Sequence, residues 1–123
     1  MVAGGYGRIL LVSSGAALGI ANEVHYASAK AGLQGMARTL AVELGKFGVT
    51  ANAIAPGFID TEMTRSVGER RGRDFEEFKS TSASNTPVGR IGQPEDVAAA
   101  VAYLCSQEAG FVSGHVLYIR GGP

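Results

Sequence analysis

The 123-residue chain reads as an α/β domain on a doubly wound parallel sheet, with about three strands and flanking helices, and three observations predict this. Short, mostly apolar runs at Ile9 to Val12, Val49 to Ala55 and Val116 to Ile119 suit strands covered on both faces. Between them, apolar residues recur every three or four positions, which is the helical period, and strands that alternate with helices imply parallel βαβ units. The first two strands end in Ser13-Ser14 and Pro56-Gly57, small or polar groups at the C-terminal strand edge, where open α/β sheets place their sites.

Met1 to Gly7 is glycine-rich and reads as a loop entry, and Ser13 to Glu23 as a loop of small residues. From Tyr26 to Phe47, the residues Leu33, Met36, Leu40, Leu44 and Phe47 keep the helical period, and Gly48 supplies a stop because it tolerates left-handed backbone. Gly35 and Gly45 weaken that helix intrinsically, and close helix packing is the expected reason for them. Thr61 to Thr86 is polar and weakly periodic. Nine of the 22 charges lie between Arg65 and Lys79, with Val67, Phe75 and Phe78 as sparse anchors, so the segment reads as helical pieces forming either a lid or a solvated face. Pro94 followed by Glu95-Asp96 favours a helix start, and Val97, Val101, Leu104 and Cys105 give that helix one apolar face. No repeat, low-complexity tract or linker divides the chain.

An apolar fraction of 46% is enough for a core. A formal net charge of zero provides no field for nucleic acid or an anionic membrane. Ile9 to Ala21 is broken by Ser13-Ser14 and too short to span a bilayer, and no basic stretch leads into an apolar block at the N-terminus. The single cysteine, Cys105, has no internal disulfide partner and is expected in the core. The expectation is a cytoplasmic protein. No Cys, His or carboxylate cluster has metal-ligand spacing, and His25 and His115 are assigned no catalytic role.

Tyr26-Ala27-Ser28-Ala29-Lys30 puts a phenol and an ammonium four residues apart, on one helix face. A fixed cation beside a phenol favours the phenolate, and proton transfer is fastest when a group titrates near the working pH. The pair is thus an acid–base device, although an amphipathic helix also produces such a pair by chance.

Taken together, Gly7-Arg8-Ile9, Ser13-Ser14-Gly15, Tyr26 through Gly32, Asn52 through Gly57, Gly89 through Val97 and Gly121-Gly122 resemble the C-terminal half of a short-chain dehydrogenase/reductase. Within that family the chain is most similar to the 3-oxoacyl-acyl-carrier-protein reductase type. The resemblance implies a Rossmann-like fold in which residues 1–123 form the catalytic and substrate portion, while the dinucleotide-binding half lies before residue 1. It implies Ser14, Tyr26 and Lys30 as the catalytic residues. Tyr26, Lys30, Pro56, Gly57, Ile59 and Thr61 would contact the coenzyme, NADP(H) in preference to NAD(H), and Asn52 would be structural. Relatives commonly place the serine thirteen residues before the tyrosine, which is Ser13, whereas counting along the strand from Gly7 selects Ser14; a loop loses a residue more easily than a strand shifts. Ser14 is preferred on that ground.

The implied activity is hydride transfer between NAD(P) and a carbonyl or secondary alcohol, with a small molecule or an acyl-carrier-protein thioester as substrate. The resemblance also implies a homo-oligomer, a dimer or tetramer. Two alternatives stand beside it: a truncated, non-catalytic fragment serving as an interaction module, and a dehydrogenase of another secondary alcohol such as a sugar, steroid or polyol.

Overall fold

The computed structural model describes residues 1–70, 72 and 74–123, and for Val67, Glu69 and Arg70 the backbone alone. The anchoring expected of Val67 therefore lies outside the described side chains. In chain order the elements are β1 (Gly7–Val12), α1 (Val24–Leu44), β2 (Val49–Pro56), α2 (Glu62–Arg70), α3 (Phe75–Ser84), α4 (Pro94–Cys105) and β3 (Val116–Ile119). Three short 3₁₀ turns join them. Two correct the expected loops: Val2–Gly4 precedes β1, and Gly15–Leu18 follows it, its first turn capped by Ser14, whose hydroxyl accepts from Ala16 N. Small residues next to a capping serine let the chain tighten there.

The sheet is parallel in the order β1-β2-β3, as the strand and helix pattern predicts. Gly7 pairs with Val49 and Val12 with Ile54, while Ala53 pairs with Val116 and Pro56 with Ile119. Successive strand residues point to opposite faces, so Arg8 and Ser13, five apart, leave β1 on opposite sides. Arg8 Nε donates to Ser106 O at the end of α4, and Ser13 Oγ donates to Lys30 O in α1. One helix thus covers each face. Beneath α1, β2 presents Ala51, Ala53 and Ala55, all fully buried, opposite the buried Ala37 of the helix; small side chains let helix and sheet approach closely. On the other face Asn52 is a structural residue: Nδ2 donates to Val112 O at 2.8 Å and Oδ1 accepts from His115 N at 3.0 Å. These two bonds tie the loop before β3 to the central strand.

Gly48 ends the first crossover with φ +72, and a Cβ there would run into the Gly5 carbonyl. At the start of α4 the Asp96 carboxylate accepts from Gln93 N at 2.7 Å while Asp96 N donates to Gln93 O at 3.0 Å, which explains its sharp start better than Pro94 alone. One expectation fails. Cys105 is exposed, because Leu104 takes the buried position in that turn and the next residue, about 100° further round the helix, faces outward. A Cβ at Gly35 or Gly45 would meet nothing within 4 Å, so the close packing expected of them is not made within this chain. Among the described residues, no helix is long and apolar enough to cross a membrane, and no group of His, Cys, Asp and Glu could hold a metal ion.

Candidate active site

A cleft of about 590 Å³ opens at the C-terminal edge of the sheet. Ser14 and Gly15 after β1, Tyr26 in the first turn of α1, Pro56 and Gly57 at the end of β2, and Arg120 after β3 all line it. All three strands contribute because they are parallel and end on the same side. Apolar side chains of Ile20, Phe58, Met63 and Phe78 form the remaining wall, with Glu23 and Thr64.

Ser14 and Tyr26 are brought together in this cleft. Tyr26 is 38% exposed and lines the cleft, open to solvent. The Ser14 hydroxyl accepts from Ala16 N at 3.1 Å, and no described residue accepts its hydrogen. Ser13 is only 3% exposed; its hydroxyl donates to Lys30 O at 2.8 Å and accepts from Gln34 Nε2 at 3.3 Å. The two adjacent serines therefore have different surroundings. One is bound beneath α1, the other keeps a donor at the cleft.

Lys30 lies one helical turn behind Tyr26, its ammonium 5.7 Å from the ring centre. Nζ donates to Val12 O at 2.8 Å, the last carbonyl of β1. One of its three donors is thus spent on fixing the side chain, and two remain for hydroxyl acceptors. Lys30 does not itself line the cleft; its paired ammonium donors behind Tyr26, and the small wall of Gly15, Pro56 and Gly57, have the chemistry a nicotinamide ribose and ring would need.

Ile59 and Thr61 are not brought to the wall of this cleft. Ile59 is buried, pairs with Gly92 as an isolated bridge, and faces a second cleft of about 380 Å³. Thr61 caps α2, its Oγ1 accepting from Thr64 N at 3.3 Å. Exposed His25 lies beside Tyr26 but does not line the cleft.

Motif reasoning also missed two residues. Arg120 is one, although its place after the third strand's C-terminal end was a usable signal. The other is Asp60, whose side chain is 5% exposed; Arg65 and Lys79 pair with it at 2.9 Å and 3.2 Å. Hydrogen bonds from Arg65 and then Lys79 hold its carboxyl below the usual range. With Phe58, which meets the Phe78 ring edge-on at 4.9 Å and lies 6.5 Å from Phe75, Asp60 fastens α2 and α3 over the cleft.

A family model described as enoyl-(acyl carrier protein) reductase matches residues 1–123. Over 118 residues the chain is 47% identical to the short-chain reductase protein NovJ of Streptomyces niveus, a match covering 96% of this chain and 45% of that protein. It is 45% identical over 118 residues to the 3-oxoacyl-(acyl-carrier-protein) reductase MabA of Mycobacterium avium, covering 95% and 44% respectively. A Beutenbergia cavernae protein assigned as an NAD(P)-dependent gluconate 5-dehydrogenase, crystallised with NADP at low occupancy, superposes with a TM-score of 0.87 at 34% identity, over 98% of this chain and 47% of that one. The chain spans about half the length of the relatives it matches.

Proposed function

The chain belongs to the short-chain dehydrogenase/reductase family, and from that premise we propose that it is the catalytic and substrate-side portion of an NAD(P)-dependent oxidoreductase. It would act with a dinucleotide-binding half that residues 1–123 do not themselves supply. The observation that carries this reading is the shared cleft of Ser14 and Tyr26 with the Lys30 ammonium anchored behind the phenol.

When bound, a nicotinamide coenzyme supplies or accepts the hydride. The remaining chemistry falls to this chain. The Ser14 hydroxyl donates to the substrate carbonyl oxygen and steadies the negative charge that grows there, a donor already aimed before reaction begins. Tyr26 delivers a proton to that oxygen in reduction and takes it back in oxidation. Lys30 places its ammonium behind the ring and would hold the ribose hydroxyls with its two unspent donors. Pro56 and Gly57 line the cleft and would form the wall for the nicotinamide.

A 3-oxoacyl thioester is the substrate class favoured by the MabA likeness, and NADPH the favoured coenzyme, supported by the NADP in the Beutenbergia cavernae structure. Assembly with further copies is supported by the outer face of α1, where Met36 and Val42 are exposed and Gly35 and Gly45 leave open space. A chain with a single cysteine suits the cytoplasm.

The test is Tyr26→Phe in the full protein that carries this chain. Removal of the proton donor should lower turnover at least ~100-fold with the melting temperature unchanged. Turnover within a few-fold of the parent would sink the assignment.

A further inference from the structure

Arg120 follows β3 at the strand edge that also carries Ser14 and Pro56-Gly57. It lines the 590 Å³ cleft with Ser14 and Tyr26 and borders the neighbouring 380 Å³ cleft beside Thr86 and Val88. Three contacts hold it in place. Nε donates to Gly122 O at 3.3 Å, and the guanidinium lies 5.7 Å from the centre of the Tyr118 ring. Gly57 makes room for its main chain, because a Cβ at that position would come within 3.0 Å of Arg120 Cα.

None of these contacts is an anion. Among the described residues Arg65 and Lys79 share Asp60, and Arg90 has Asp96, but no carboxylate pairs with Arg120. Glu23, the acidic residue of the cleft wall, does not reach it. A guanidinium has five N–H donors, and among the described residues only Nε finds an acceptor. Arg120 is half-buried at the cleft, so its remaining donors are met by water or by an acceptor that enters the cleft. Planar oxyanions match its fork of donors.

We propose that Arg120 is a specificity-determining residue: it receives a carboxylate or phosphate oxyanion carried by the carbonyl substrate, with the substrate's apolar body against Ile20, Phe58, Met63 and Phe78. This rests on the reading of the cleft as a carbonyl-reducing site. The enzyme then prefers an anionic substrate to its neutral analogue. The oxyanion has two possible sources, an acyl chain ending in a carboxylate or the phosphate of a pantetheine arm.

Two substrate pairs distinguish them in the full protein that carries this chain, with NADPH as reductant. One pair is a 3-oxo dicarboxylic monothioester and its methyl ester. The other is a 3-oxoacyl phosphopantetheine thioester and the pantetheine thioester lacking the phosphate. The expected result is an anion preference in kcat/KM of about tenfold or more in one pair, abolished in Arg120→Met and partly kept in Arg120→Lys, with the neutral member of the pair unaffected. The pair that shows it identifies the source. Calorimetric titration with the corresponding saturated thioesters, which lack the 3-oxo group that is reduced, should show the same preference in binding. Absence of NADPH oxidation with that binding preference intact would sink the reductase reading and leave the role of Arg120 standing. Binding blind to charge in both pairs, or an Arg120→Met variant that weakens neutral and anionic ligands equally, would overturn the proposal.

Discussion

The floor and the cover of the cleft are held by different means. The floor, formed by the ends of β1 and β2 with the first turns of α1, is tied through main-chain groups: Ser13 N donates to Ile54 O at 2.7 Å, and Ser13 Oγ and Lys30 Nζ close the angle between helix and strand at 2.8 Å each. The cover, α2 and α3, is attached largely by side chains radiating from two residues, Phe58 and Asp60. A ladder of backbone bonds cannot be altered one contact at a time, whereas an ion pair and a ring contact can. The proposed proton-transfer groups therefore lie on the part tied by main-chain bonds, and the proposed substrate wall includes the part held by side chains.

The sharpest test of the floor uses its two serines. Ser14→Ala should lower turnover on the order of 100-fold, the usual loss for one preorganised donor to a developing oxyanion, without changing the melting temperature. Ser13→Ala should leave turnover within a few-fold but lower stability by about 1 kcal/mol through its lost hydrogen bonds. Steady-state kinetics and thermal melts on both variants decide it. The reverse ranking would assign the donor to the serine beneath the helix and break the contrast.

A smaller effect is expected from the cover. Asp60→Asn should raise KM several-fold with kcat little changed, and hydrogen exchange should speed up in α2 and α3 while the amides of β2 keep their protection. Equal loss of protection in β2 would mean that floor and cover are one cooperative unit. The smallest effect concerns acidity. Arg65 and Lys79 favour the charged form of Asp60 in the folded protein, so the contribution of this latch is fully present above its ordinary value of 3.8 and disappears as pH falls through the lower folded value. Protection of α3 should be flat between about pH 7 and 5 and decline below about 3.8. A decline between pH 7 and 5 would point to a different group.

What was legible in the sequence is what local rules determine. The apolar runs, the left-handed Gly48 and the Pro94 start are set by neighbours within a few residues, and Tyr26 and Lys30 share a face because helical spacing demands it. Spacing alone pointed to Ser13 and strand position to Ser14; the burial of Ser13 against Lys30 and Gln34 is tertiary and was not readable from either count. The Asp60 pairs were hidden for a related reason. In a stretch holding nine charges, partners five and nineteen residues away are selected only when two helices fold back together. Arg120 reaches the cleft from the far end of the chain, and no local pattern links it to Tyr26. Cys105 shows the limit of periodicity, since adjacent apolar residues in one helical turn do not face the same way.

The central place of β2 also bears on how quickly the chain folds. Its neighbours in the sheet are Gly7–Val12 and Val116–Ile119, so every strand pair joins residues separated by roughly 40 or 60 positions, and no hairpin exists to nucleate the sheet. Loop closure has to come before any ladder bond forms. Helix α1, whose own bonds are local, can form early and then gather β1 and β2 against its alanine face, with β3 docking last through Asn52. Slow assembly is therefore built into the strand order, and the two bonds made by Asn52 become a late step that locks the third strand in register.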